Sequence, residues 1–159
     1  MKLSEFDKIT YEVNRGVALV TLNNPARRNA WGGRMSVEYR WALYHAHTDD
    51  SVRVVVVTGI GDDFCVGADT SELSTIESAG GAYQKAQLEL PPYPETAPEA
   101  FRRNHAYPWC IEKPVIAAVN GRCAGVGFIV ASYADLRFGA RNSVLKTAFS
   151  KLGLPAEYG

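Results

Sequence analysis

Val52-Arg53-Val54-Val55-Val56-Val57-Thr58-Gly59 is an almost unbroken β-branched run. Such continuity predicts a strand buried on both faces, as parallel strands covered by helices are. Upstream, Gly33 to Thr48 places Met35, Tyr39, Ala42, Leu43 and Ala46 at helical spacing, with Arg34, Glu38 and Arg40 elsewhere on the wheel. That pattern predicts an amphipathic helix packed on a sheet. Further upstream, Ile9 to Val13 and Val17 to Leu22 form a hairpin pattern around Asn14-Arg15-Gly16, and Asn23-Asn24-Pro25 stops the second strand. Downstream the grammar repeats: Pro114 to Gly121 as a buried strand, Gly125 to Tyr133 as a buried helix, Asp135 to Gly139 as a further strand. Strands and helices in this order define an α/β fold.

The 159 residues, 47% apolar and 21% charged, suit one globular domain and exclude disordered, collagenous and disulfide-scaffold classes. Seventeen basic and seventeen acidic side chains cancel, so no overall field draws in a nucleic acid or an anionic membrane. An anionic ligand must be held locally. No apolar run approaches the ~20 residues of a membrane span, and the first residues lack a signal-peptide core, so a cytoplasmic location is expected. Cys65, Cys110 and Cys123 are odd in number and lack metal-ligand spacing, which points to reduced, buried thiols and to no metal. The stretch 71–109 holds Pro91, Pro92, Pro94 and Pro98 among Tyr83, Tyr93, Phe101 and Tyr107. It is either a partly helical cover over a site or a solvated linker.

Both buried strands lead into turns of small residues. The first runs from Gly59 through Phe64-Cys65-Val66-Gly67-Ala68-Asp69, and the second is Asn120-Gly121-Arg122-Cys123-Ala124-Gly125-Val126-Gly127. Small residues followed by a helix start expose backbone N–H groups that can bind an anion or developing negative charge. A dinucleotide site fails on detail. The third glycine of the fingerprint would be Val130, and the glycines lie six residues past Val119 rather than at the strand end.

Four segments together resemble the crotonase, or enoyl-CoA hydratase/isomerase, superfamily. They are Thr21 to Pro25 with Arg28-Asn29-Ala30, then Phe64 to Asp69, then Lys113 to Gly121, then Asp135. The resemblance implies an α/β crotonase (ClpP-like) fold, a spiral of ββα units. It also implies an acyl-CoA substrate, no cofactor beyond its CoA moiety, and assembly as trimers or pairs of trimers. By the same resemblance, the N–H groups of Ala68 and Val126 hydrogen-bond the thioester oxygen. Fixed donors there contribute about 2.7 to 4 kcal/mol each when an enolate forms. Arg28 would lie near the CoA phosphates, where a cation favours an anionic oxygen, or else in a solvated pair with Arg27 capping a loop. Backbone groups at Cys65 and Val66 would receive the adenine.

The sequence departs from the hydratase pattern at the acid-base positions. The family's two glutamates fall at Ile129 and about Phe149, neither of which can move a proton, and the second donor position, usually glycine, is Val126. Glu157, in Gly153-Leu154-Pro155-Ala156-Glu157-Tyr158-Gly159, resembles the single glutamate of the Δ3,Δ2-enoyl-CoA isomerase branch. One carboxylate suffices to carry a proton between two carbons of a delocalised enolate. The alternative is a loop carboxylate near a helix start. His45 and His47 point to different helix faces, His105 with Asp69 or Glu72 is a weaker hydrolase-type pair, and Asp69 is expected to cap the following helix. The match breaks off within a motif at Gly159, so the domain is expected to lack its C-terminal helical part. Isomerisation, hydration, hydrolysis of a related β-keto or thioester substrate, and non-catalytic acyl-CoA binding all stay open.

Overall fold

The computed structural model describes residues 1–71, 88–102 and 105–153. Strands β1 (Ile9–Asn14) and β2 (Val17–Leu22) pair antiparallel. The two residues between them, Arg15 and Gly16, both have positive φ (50° and 83°), which matches the right-handed twist of a tight hairpin. A 3-10 turn at Pro25–Arg27 leads to helix α1 (Gly33–Thr48). Then follow β3 (Val54–Gly59), β4 (Asp63–Cys65), β5 (Val115–Val119), β6 (Arg122–Ala124), helix α2 (Val126–Ser132), β7 (Leu136–Gly139) and β8 (Val144–Lys146).

Five strands form one sheet in the order β1-β2-β3-β5-β7, parallel from β2 onward. A second, parallel sheet has the order β4-β6-β8. Each buried strand of the large sheet is thus followed at once by a short strand of the small one, and β4 and β6 carry the two small-residue turns into register. The hairpin, α1, β3, β5 and α2 stand as expected. The turns themselves hold strands that the small-residue pattern does not announce.

Two expectations are corrected. Burial along β3 alternates: Val55 and Val57 are buried, whereas Val54, Val56 and Thr58 are only half-buried, and β5 alternates in the same way. The large sheet therefore has one fully packed face. On α1, Glu38 and Arg40 are buried at 0% and 3% exposure rather than turned away from the core. Glu38 accepts the backbone N–H groups of Asp7 (2.9 Å) and Lys8 (2.7 Å) and pairs with Arg34, so it ties the N-terminal segment to the helix. A buried charge is tolerable when it is paired and hydrogen-bonded in this way. The Arg40 guanidinium lies 5.0 Å from the Tyr93 ring centroid and 5.1 Å from that of Tyr107.

Those tyrosines belong to the described part of the 71–109 stretch. Tyr107 donates to Pro92 O (2.8 Å), and Trp41 on α1 donates to Glu89 O (2.7 Å), so this part packs on α1. Tyr83 and Glu72 lie outside the described residues. All three cysteines are free and buried. Among the described residues no helix is long and apolar enough to cross a membrane.

Candidate active site

The two turns meet through their glycines. Gly67 and Gly125 have φ of 115° and 51°, conformations that side chains other than hydrogen rarely adopt. A Cβ on Gly125 would lie 3.6 Å from Gly67 Cα, and one on Gly67 would lie 3.4 Å from Ala124 O. Ala68 and Val126, each the next residue along, are thereby brought to one place. Gly127 then seats α2 on β4: a Cβ there would fall 2.4 Å from Cys65 O.

The direction of each amide follows from its neighbours. Trp31 N donates to Gly67 O (2.7 Å), and Asp69 N donates to Trp31 O (3.0 Å), a parallel bridge centred on Ala68. Successive amides of an extended chain alternate sides, so the Ala68 N–H points away from Trp31. Gly125 N is committed to Lys146 O (3.0 Å), and Gly125 O accepts Ile129 N (3.1 Å). Val126 follows as the first residue of α2, where a helix offers its N–H no internal acceptor.

Two asparagines hold the loop after β3 in place. Asn29, fully buried, donates to Ile60 O (3.0 Å) and Asp63 O (2.8 Å) and accepts from Asn24 N (3.0 Å). Asn120 donates to Gly59 O (2.9 Å) and Gly61 O (2.7 Å). Sequence reasoning quoted both inside its motifs without assigning them this work. Their position in segments otherwise short of polar core residues was the available signal.

Arg27 and Arg28 are each tied to a carboxylate rather than merely solvated. Arg27 pairs with Asp69 (2.9 Å) and Arg28 with Asp63 (3.0 Å), while Arg122 pairs with the same Asp63. Two guanidinium groups on one carboxylate leave a local excess of positive charge, with Arg28 about half exposed. Arg122 was not singled out from sequence, and only its place beside a glycine in the second turn could have drawn attention to it. Asp69 Oδ1 also accepts from Ser71 N (3.0 Å), the helix-capping arrangement expected of it. Cys65 is buried on β4, where burial pushes its thiol up to about 11, and Val66 is half-buried beside it.

Burial raises the Asp63 carboxyl, but hydrogen bonds from Arg122 and Arg28, with their charges, outweigh that and hold it below its ordinary 3.8. A folded value below the unfolded one means that the contribution is complete above pH 3.8 and is lost as pH falls through the folded value. Asp63→Asn is therefore expected to make the acid limb of stability shallower below pH 3.8, read by urea denaturation at stepped pH. An acid limb of unchanged slope would count against the pairing.

Ile129 is buried on α2, and Phe149 lies half-buried in the 3-10 turn Phe149–Leu152. Glu157 lies outside the described residues. His105 has its ring 6.4 Å from that of Trp31, and burial together with the Arg40 charge holds its pKa below the ordinary value. His45 Nε2 contacts Met1 O (3.0 Å), away from the turns. Among the described residues no group of three or more His, Cys, Asp and Glu side chains could hold a metal.

The family model described as enoyl-CoA hydratase/isomerase matches residues 12–159, and the chain belongs to that family. It is 36% identical over 152 residues to "Probable enoyl-CoA hydratase EchA14" of Mycobacterium tuberculosis, covering 96% of this chain and 54% of that protein. It is 34% identical over 151 residues to the 1,2-epoxyphenylacetyl-CoA isomerase of Escherichia coli, covering 95% and 54%. Among solved structures, an enoyl-CoA hydratase/isomerase from Mycobacterium paratuberculosis superposes with a TM-score of 0.73 at 29% identity, over 96% of this chain and 55% of that one. The fold is the crotonase fold. The chain spans about half the length of the relatives it matches.

Proposed function

We propose that this chain carries the thioester-binding and oxyanion-stabilising part of an acyl-CoA enzyme that shifts or hydrates a double bond, with isomerisation ahead of hydration. The observation that carries the reading is the meeting of Gly67 with Gly125, which brings the Ala68 and Val126 amides together, the first of them turned away from its bridge partner Trp31. Removing the proton beside a thioester places most of the charge on the carbonyl oxygen, and two fixed N–H groups stabilise it without rearranging. Arg28, with Arg122 behind the shared Asp63, offers a cation for a CoA phosphate, and the backbone at Cys65 and Val66 a rim for its adenine. CoA arrives with the substrate, and no other cofactor is required.

Isomerisation leads because, by the family resemblance, the two glutamate positions of a hydratase fall at Ile129 and about Phe149, neither of which can move a proton. Glu157 is then the single base. Relatives include by name both an isomerase of an epoxyphenylacetyl-CoA and enoyl-CoA hydratases, so the preference rests on the two apolar positions. A second reading is hydrolysis of a related thioester or β-diketone with His105 as base. It draws on the His105 ring lying near Trp31, whose backbone brackets Ala68. A relative that binds acyl-CoA without turnover is the third. Assembly as a homotrimer or hexamer in the cytoplasm, with no membrane or nucleic acid as partner, accompanies the proposal.

The deciding measurement is turnover of 3-enoyl and 2-enoyl CoA thioesters by the intact protein. Conversion of the 3-enoyl to the 2-enoyl compound is expected. Hydration alone would move the assignment to a hydratase, and turnover of neither would leave only the binding or hydrolytic readings.

A further inference from the structure

Residues 27–31 form one tightly wound piece. Arg28 and Asn29 both have positive φ (54° and 56°), and the chain folds back so that Asn29 N donates to Asn24 O (2.9 Å) and Ala30 N to Arg27 O (3.0 Å). Residues other than glycine persist in that conformation only where their surroundings over-determine it. Here the surroundings are β4 and the first turn. Arg28 donates to the Asp63 carboxylate (3.0 Å), and buried Asn29 donates to the Asp63 carbonyl oxygen (2.8 Å). Trp31 N then donates to Gly67 O (2.7 Å), Trp31 O accepts from Asp69 N (3.0 Å), and Arg27 returns to the Asp69 carboxylate (2.9 Å). Ala68, between Gly67 and Asp69, is thus gripped on both flanks by the segment whose Arg28 stands half-exposed as the proposed phosphate contact.

We propose that segment 27–31 couples the nucleotide end of a bound CoA thioester to the oxyanion donor at Ala68, with Arg27 as a positioning residue that acts through Asp69. The proposal rests on the acyl-CoA reading of the site and adds how its two ends communicate. A phosphate that binds Arg28 better when the segment is seated favours the seated state, and by linkage the aligned donor, by the same factor. Arg27 is the link at the far end. Its ion pair fixes the residue after Ala68 independently of the backbone bridge to Trp31. Binding energy from a remote, unreacting part of a substrate then appears in kcat rather than only in KM.

The test is steady-state turnover, by the intact protein, of an enoyl thioester of CoA and of the same acyl group on pantetheine, which keeps the thioester arm but lacks the nucleotide and its phosphates. The kcat is expected to be at least about tenfold higher for the CoA thioester, apart from any difference in KM. Arg27→Gln should bring that kcat ratio toward one by slowing the CoA thioester, and Arg27→Lys, which keeps the charge, should preserve most of it. A difference confined to KM in the unmodified protein overturns the coupling and leaves the acyl-CoA reading standing. So does a kcat ratio that Arg27→Gln leaves unchanged, whether both rates fall alike, as for a residue that only supports the fold, or neither falls. Turnover of neither thioester removes the proposed function and the coupling together.

Discussion

Glu157→Gln in the intact protein is expected to slow conversion of a 3-enoyl to a 2-enoyl thioester by about 10²- to 10⁴-fold, the usual contribution of a positioned general base. Glutamine keeps the length and shape of the side chain but cannot accept the proton at neutral pH. Binding of a saturated acyl-CoA should persist in the variant, because the proposed contacts to the thioester and to CoA lie in the two turns and at Arg28. Turnover that is unchanged in Glu157→Gln would remove this residue from the mechanism and return attention to His105. The effect should appear in kcat more than in KM, since the carboxylate acts on the transition state rather than on the bound substrate.

Gly127→Ala is expected to give the next largest effect, a loss of about 100-fold in kcat/KM, because a shift of about 1 Å in reacting groups can cost that much. The added methyl would sit 2.4 Å from Cys65 O, 2.7 Å from its Cβ and 2.9 Å from its Sγ. Neither the strand backbone nor the buried thiol can yield, so α2 must move off β4 and carry the Val126 amide with it. Overpacking of this kind also costs about 1–3 kcal/mol of stability. Gly61→Ala is the comparison that separates the two effects. Gly61 has φ of 72° with nothing within 4 Å of a built Cβ, so alanine there strains the backbone by about 1–2 kcal/mol without shifting either turn. Similar losses of stability with a selective loss of activity in Gly127→Ala would support the proposed geometry. Equal activity in both variants would count against it.

The large-scale order of the chain is written in its periodicity. The β-branched run at Val54–Gly59, the helical spacing of Met35 to Ala46 and the apolar stretch after Gly125 each become the element they suggest. The short strands β4, β6 and β8 are not legible in that way. Three residues are too few for a period, and Asp63 and Arg122 pair across β4 and β6 in a manner that composition hides. Glu38 and Arg40 were misplaced because a wheel assigns charge to solvent. Their burial is made possible by partners distant in sequence: Asp7 and Lys8 for the first, Tyr93 and Tyr107 for the second. The site was legible where it consists of glycine, whose conformational freedom leaves a trace in sequence, and illegible where it depends on asparagine side chains reaching to backbone across loops. Tyr39 was read only as an apolar position of the helix, because whether a buried O–H finds an acceptor is decided by tertiary packing alone.

Strand β7 is the last of the larger sheet, and its apolar side chains are turned outward: Leu136 and Phe138 are 53% and 63% exposed. Nearby β8 adds exposed Val144 and Leu145. Sheets ordinarily blunt such an edge with a charge, and Arg137 stands between the two apolar residues of β7. Its guanidinium instead turns back to the carbonyl oxygens of Ala131 and Ser132 at the end of α2, as well as to Ala134. The cation that terminates the helix is thereby withdrawn from guarding the strand. With that cation engaged elsewhere, the apolar border of β7 and β8 is half-templated for another strand, and colloidal behaviour should be governed there rather than at the two glycine turns.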